Sequence, residues 1–364
     1  MRIKIGIEAD GVRGWRGPGR NIRNLINHMI KIGNNYDFYI YSFNDVSNHI
    51  YNGGNVQFIK LPNVPFIPKS NLLLPLAAIK NKIDCMLFPS GNFWLCPVKK
   101  SVIILRTGGP DTQTQNIIDK LHSWLQYIVL PFVANTIVTV SNYNAGKIKN
   151  IPGYYNKEIL IVNNGVDPLF NTCAKTVSNI KKGKYLLYVG GFEKGKNIEN
   201  LLLGFKICCG ENKDLKLYLV GDIRRGRNDS IDVQTIIDRN ELNESVFIVG
   251  KLSGNELVDI YKNAYIFVFP SLLESFGNAP LEAMACGCPV LASNAPAIPE
   301  VCGDAALYFD PYDPQDMADK IKKVLKDDIL RKELITKGYQ RVKKYTWEES
   351  AQKLLAIMVQ AVDS

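Results

Sequence analysis

Two glutamates, Glu274 and Glu282, stand eight positions apart in the run Glu274-Ser-Phe-Gly-Asn-Ala-Pro-Leu-Glu282. An ionised carboxylate only accepts hydrogen bonds, so each can hold a pair of hydroxyls. Between them lies a Phe-Gly-Asn turn, and from Ala279 small and apolar residues recur at helical spacing. The first N–H groups of a helix lack intrahelical partners and suit an anion such as a diphosphate. We read Glu282, in the first turns of this helix, as the holder of a diol such as ribose. Glu274, in the preceding loop, then faces a sugar. A solvated loop glutamate and an ordinary helical glutamate fit the spacing equally well.

A second candidate is Gly190-Gly-Phe-Glu-Lys-Gly-Lys196-Asn197, a Walker A pattern with Asn197 where Ser or Thr belongs. That hydroxyl holds Mg²⁺ in P-loop NTPases, so its replacement argues against nucleotide hydrolysis. Lys196 can still neutralise a diphosphate by charge alone; a solvated turn lysine is the plainer alternative. Gly11-Val-Arg-Gly-Trp-Arg-Gly-Pro-Gly-Arg20 combines close backbone approach with three arginines. Gly250-Lys251 closes an apolar run, where backbone groups could pair with a base edge. Arg224-Arg-Gly-Arg227 is a basic loop, either solvated or touching a phosphate. The chain has eight cysteines, none in a Cys-x-x-Cys pair, and three histidines. No metal site is expected from them, and a reduced cytosolic setting follows.

These residues need strand ends and helix starts to hold them. Apolar runs at Ile3–Ile7, Phe38–Phe43, Cys85–Phe88, Val102–Leu105 and Ile137–Val140 predict buried strands, with helices over Asn21–Ile32 and Ile117–Val129. The pattern restarts with strands at Tyr185–Val189, Leu215–Val220, Val246–Val249, Ile266–Phe269 and Val290–Ala292. Helices fall between them at Ile198–Cys208, Ile231–Arg239, Gly254–Asn263 and Pro280–Ala285. Twofold βαβ alternation predicts two doubly wound parallel sheets, joined through the polar stretch Asn163–Gly183. Ligands of such sheets sit at the carboxyl ends of the strands.

A chain of 364 residues, 46% hydrophobic and 22% charged, has material for two cores. A net charge of +9 favours anionic partners. Nucleic acid is set aside, because no basic run is interleaved with aromatics. No apolar run approaches the ~20 residues needed to span a bilayer. The longest, Tyr127 to Val140, is broken by Pro131 and Asn135. The stripe Ile117, Leu121, Trp124, Leu125, Ile128 has helical spacing; core packing is the simpler reading and a membrane-facing role the alternative.

With these motifs in view, the chain resembles the retaining glycosyltransferases of family 4, which have the GT-B fold. Asn164-Gly-Val-Asp167 with Phe170, Tyr188-Val-Gly190 with Lys196-Asn197, and Phe247-Ile-Val-Gly250 look like family motifs. So do the Leu257, Tyr261, Ala264 spacing, Gly287-Cys-Pro-Val290, Pro299-Glu300-Val301 and the Glu274 to Glu282 pair. The likeness covers nearly the whole chain but thins before residue 137, where Gly17-Pro-Gly19-Arg20 and Ser141 are the anchors. It implies an α/β architecture of two Rossmann-like doubly wound parallel-sheet domains facing a central cleft. Residues 1–170 would form the acceptor side and 171–345 the nucleotide-sugar side, with 346–364 a helix crossing back.

By the same resemblance, Glu282 would hold the donor ribose and Glu274 would contact the transferred sugar. Lys196 would pair with the diphosphate, backbone N–H groups of Phe276, Gly277 and Asn278 would meet sugar and diphosphate, and Gly19 would close from the first domain. Two departures stand out. The family usually places an Arg after the first glycine of the loop or before the lysine, where this chain has Gly191 and Gly195. It also often has His-Asp where this chain has Arg106-Thr107. Arg106 could then serve the diphosphate or the acceptor.

The implied activity is metal-independent, retaining transfer of a hexose, mannose favoured, from GDP-mannose or a UDP-sugar to a glycan or lipid-linked acceptor. A cytoplasmic place follows, with a peripheral contact at an anionic inner membrane face compatible with the charge. Three rivals are a non-catalytic sugar-nucleotide-binding subunit, a P-loop hydrolase and a GT-B epimerase.

Overall fold

The computed structural model describes residues 2–14, 17–62, 73–91, 98–110, 116–171, 184–222, 228–252 and 254–364. Trp15 and Arg16 of the first glycine loop, part of the polar junction and the basic Arg224–Arg227 loop lie outside these residues. The chain divides into two compact units: Met1–Thr112 with Ile117–Gly165 and Tyr345–Ser364, and Gln113–Asn116 with Val166–Lys344.

In the first unit the strands are β1 (Lys4–Glu8), β2 (Asp37–Ser42), β3 (Val56–Lys60), β4 (Cys85–Phe88), β5 (Lys100–Leu105), β6 (Thr136–Thr139) and β7 (Ile159–Ile161). They form one sheet in the order β3-β2-β1-β4-β5-β6-β7. The pairings are parallel; Ile5 sits opposite Phe38 on one side and Cys85 on the other. Central strands are apolar at nearly every position, because a parallel sheet is covered on both faces. Its helices are α1 (Gly17–Ile32), α2 (Leu74–Lys80), α3 (Ile117–Val133), α4 (Asn142–Lys149) and, from the end of the chain, α12 (Trp347–Asp363).

Helix α1 buries Ile22, Leu25, Ile26, Met29 and Ile30, a 3–4 residue stripe that faces the sheet beside α12. In turn α12 contributes Trp347, Leu354 and Met358 to the same core. Its start is pinned closely: a Cβ on Gly165 would fall 2.3 Å from the Trp347 nitrogen, and Ser350 Oγ donates to the Asn163 carbonyl at 2.7 Å. Residues of α2, α3 and α4 fill the other face.

The second unit has strands β8 (Tyr185–Val189), β9 (Lys216–Val220), β10 (Val246–Gly250), β11 (Ile266–Phe269), β12 (Val290–Ser293) and β13 (Ala306–Phe309). Their order is β10-β9-β8-β11-β12-β13, again all parallel. Around it run α5 (Ile198–Glu211), α6 (Val233–Arg239), α7 (Gly254–Asn263), α8 (Asn278–Ala285), α9 (Ile298–Cys302), α10 (Pro314–Lys326) and α11 (Asp328–Val342).

The doubly wound parallel architecture expected from the sequence is present in both units. Strands β3, β7 and β13 were not expected from the apolar runs. β3 mixes exposed and half-buried residues at a sheet edge, and β7 is only three residues long. The core reading of the α3 stripe is corrected: Ile117 is 78% and Trp124 54% exposed, while Gln126, Tyr127 and Leu130 are among the buried residues of this helix. Among the described residues no helix is long and apolar enough to cross a membrane.

Both sheets reverse winding direction once, between β1 and β4 in the first unit and between β8 and β11 in the second. Diverging connections leave a crevice at the carboxyl ends of such a strand pair.

Candidate functional site

In the second unit the loops after β8 and β11 flank this reversal, and they carry Lys196 and Glu274. Several bonds fix them together. Asn197 takes a left-handed conformation (φ 58°) and sends its amide to the Pro270 carbonyl at 3.1 Å and the Pro311 carbonyl at 2.7 Å. Asparagine tolerates that conformation better than Ser or Thr. Leu272 N donates to the Gly195 carbonyl at 2.9 Å, closing the two loops on each other. From behind, the loop after β9 presses in: a Cβ on Gly221 would lie 1.7 Å from the Gly190 carbonyl oxygen.

These clamps bring Lys196 Nζ to 2.6 Å from Glu274 Oε1, across 78 positions of sequence. The lysine side chain is 27% exposed and the glutamate 15%, so the pair is shielded yet reachable. Beneath it, Tyr188 is fully buried and donates to the Gly191 carbonyl at 2.7 Å. Burial, then the carboxylates of Glu274 and Glu193, push its phenol well above the ordinary value. The tyrosine is therefore a neutral floor to the site.

Beyond Glu274, Phe276 is buried and Gly277 turns the chain at φ 95°, a conformation that favours glycine, before α8 begins at Asn278. Glu282 lies in the second turn of α8, 6% exposed, and accepts from the Tyr261 hydroxyl of α7 at 3.2 Å. Tyr261 is held by edge contacts with Phe170 and Phe267. Glu274, the helix start and the oriented carboxylate thus lie on one continuous segment, and Lys196 joins them from the loop after β8.

At the next strand end, Gly250 has φ 80° and its carbonyl accepts from Gly221 N at 2.9 Å. Lys251 Nζ pairs with Asp222 Oδ2 at 2.6 Å, and both side chains are well exposed. Among the described residues no group of three His, Cys, Asp or Glu side chains has the arrangement to hold a metal ion.

Gly19 and Arg106 belong to the first unit. Gly19 lies in the first turn of α1, where a Cβ would fall 2.2 Å from the Gly14 carbonyl oxygen. Arg106 follows β5; its Nε donates to the Pro89 carbonyl at 3.2 Å and its Nη1 to Asn164 Oδ1 at 2.8 Å. Burial pulls the guanidinium down to about 10, still charged at neutral pH.

The motifs did not flag Glu8, the last residue of β1. It is buried, and accepts from Ser90 Oγ at 2.7 Å and from Asp10 N at 2.9 Å. Burial raises its carboxyl to about 7, against the lowering pull of both hydrogen bonds. The available signal was a carboxylate directly after an apolar run. Tyr261 was visible only as a spacing, with nothing to mark its hydroxyl as a partner of Glu282.

Two Rossmann-like parallel-sheet units make this a GT-B-fold protein. Residues 173–341, a little under half of the chain, match the family described as glycosyl transferases group 1. The O-antigen chain mannosyltransferase B of Escherichia coli is 35% identical over 164 residues, which are 45% of this chain and 42% of that protein. The chain thus aligns with less than half the length of this relative.

Among solved structures, sucrose-phosphate synthase from Thermosynechococcus elongatus superposes with a TM-score of 0.75 at 21% identity, covering 99% of both chains. Anabaena HepE in complex with UDP-glucose gives 0.73 at 14% identity, covering 99% of this chain and 100% of that one. Likeness at this level concerns the fold.

Proposed function

We propose that the chain is a retaining, metal-independent glycosyltransferase that moves a hexose, with mannose favoured, from a nucleotide diphosphate sugar to a glycan or lipid-linked acceptor. The observation that carries this reading is the Lys196–Glu274 pair at the mouth of α8, with Glu282 oriented one turn behind. Lys196 supplies charge where a diphosphate leaving group develops it, and the start of α8 adds N–H donors. Glu282, held by Tyr261, accepts from a ribose diol. Glu274 accepts from hydroxyls of the transferred sugar and keeps Lys196 in place until the diphosphate competes for it.

In a front-face reaction the leaving phosphate oxygen takes the acceptor proton, so no dedicated protein base is required. The rate then comes from positioning and leaving-group stabilisation. Mannose as the sugar draws on the named activity of the Escherichia coli relative, and a nucleotide-sugar donor on the UDP-glucose complex of the Anabaena neighbour. The basic charge and the exposed apolar residues of α3 fit a lipid-linked acceptor at an anionic membrane face.

The test is a binding and transfer panel with GDP, UDP, GDP-mannose and UDP-glucose, with and without EDTA. One nucleotide should bind without metal, and Lys196→Ala and Glu282→Ala should each weaken it by tenfold or more. Transfer should survive EDTA, with the donor's anomeric configuration kept in the product. Loss of turnover in EDTA, or an inverted product, would sink the corresponding part of the proposal. Donor binding with no transfer to any acceptor would favour a non-catalytic sugar-nucleotide-binding subunit, a reading motivated by Gly191, Gly195 and Arg106 in place of the family's usual Arg and His.

A further inference from the structure

The first unit has its own winding reversal, and its carboxyl edge is not an ordinary surface. Glu8 ends β1, Ser90 follows β4, and Arg106 follows β5, so the three stand on successive strands of the sheet. A chain of contacts links them: Ser90 Oγ donates to Glu8, and the carbonyl of the adjacent Pro89 accepts from Arg106. Asn164, just beyond β7, anchors the far side of the guanidinium.

Arg106 is the unusual member. Two of its five N–H donors find partners among the described residues, and both acceptors are neutral. Among the described residues no carboxylate lies within ion-pair distance, and no neighbouring charge offsets the desolvation of its cation. Partial burial of a cation without a counter-charge is costly, and such an arrangement is kept where an anion completes it. The Nε and Nη1 tethers also fix the plane of the guanidinium, leaving the remaining N–H groups to meet two oxygens side by side.

We propose that Arg106 is the recognition residue for a phosphate or carboxylate carried by the saccharide that binds at the strand ends of the first unit, on the acceptor side of the reaction. The proposal deepens the glycosyltransferase reading and rests on it only in naming a saccharide as the carrier of the anion. It makes the acceptor a charged sugar and separates Arg106 from the nucleotide diphosphate.

Calorimetry on the full chain tests this with mannose 6-phosphate, glucuronate and uncharged mannose as probes, and with GDP and UDP on the same samples. One anionic sugar should bind at least about tenfold tighter than mannose. Which one does so distinguishes phosphate from carboxylate. Arg106→Gln should erase that preference and leave nucleotide affinity unchanged. Arg106→Lys should keep part of it, as charge without the fork. Asn164→Ala keeps the charge but frees the guanidinium, and should weaken the same probe several-fold; it remains informative if Arg106→Gln does not fold.

The proposal is overturned if the wild type does not prefer an anionic sugar, or if the preference survives Arg106→Gln. It is equally overturned if Arg106→Gln loses nucleotide affinity while keeping the anionic preference. If mannose 6-phosphate binds through Arg106 while no nucleotide binds at all, the donor reading falls and the Arg106 site stands.

Discussion

At the residue scale, Glu8 makes the sharpest claim outside the second unit. Its carboxyl is raised from 4.5 to about 7 by burial, so the folded chain holds a proton that the unfolded chain releases. The stability this contributes is fully present below about pH 4.5 and is lost as pH rises through about 7. The shift corresponds to about 3 kcal/mol across that window. Glu8→Gln keeps the shape and an acceptor for Asp10 N but cannot ionise. Urea unfolding at pH 5 and pH 8 should therefore show the wild type losing stability on the alkaline side relative to Glu8→Gln. Equal pH slopes in the two proteins would show that Glu8 is charged at little cost. The sequence predicts the strand only to Ile7, with Glu8 the residue after it, and only the fold shows that Ser90, 82 positions away, hydrogen-bonds to it.

At the scale of the element, the loop after β8 is set by glycine and asparagine. At one position where the family places an Arg, a Cβ on Gly191 would meet Glu193 Oε2 at 2.3 Å, so that carboxylate would have to move aside. Gly195 is different: nothing among the described residues lies within 4 Å of where its Cβ would go. Gly195→Arg should fit and add a charge-assisted, forked hydrogen bond to a bound diphosphate, tightening GDP or UDP by about tenfold or more. Gly191→Arg first has to displace Glu193 and should gain less. Titration calorimetry on both variants decides it; no gain from Gly195→Arg would argue that the diphosphate does not pass Lys196.

The sequence made most of these elements readable, because buried parallel strands such as β4 and β11 are short apolar runs closed by turn residues. It failed at β3, whose half-exposed pattern has no such run, and at α3, where helical spacing is the same whether the stripe faces a core or solvent. Of the candidate site, the helix start and both glutamates could be read from one continuous stretch. The 2.6 Å approach of Lys196 to Glu274 could not, because it depends on Asn197 and Leu272 tying two distant loops together.

For the whole molecule, the units differ in how the chain builds them. The second is drawn almost entirely from one stretch, Val166–Lys344, and holds its own core of buried residues. Produced alone, that stretch should fold cooperatively and keep the nucleotide affinity of the full chain, as judged by thermal melting and calorimetry. A fragment that melts without a transition, or binds no nucleotide that the full chain binds, would contradict this.

The first unit takes its final helix from the other end of the chain. Trp347, Leu354 and Met358 belong to its core, yet they are separated from the sheet they cover by the whole of the second unit. On a ribosome, residues 2–165 therefore emerge with one face of their sheet covered by α1 but not yet by α12, and stay so while the next domain is synthesised and folds. During that interval Ile22, Leu25 and their neighbours lack the α12 residues they pack with in the finished core. The order of synthesis thus lets the second unit complete its core first, and leaves the first unit without its last helix until residues 347–363 are made.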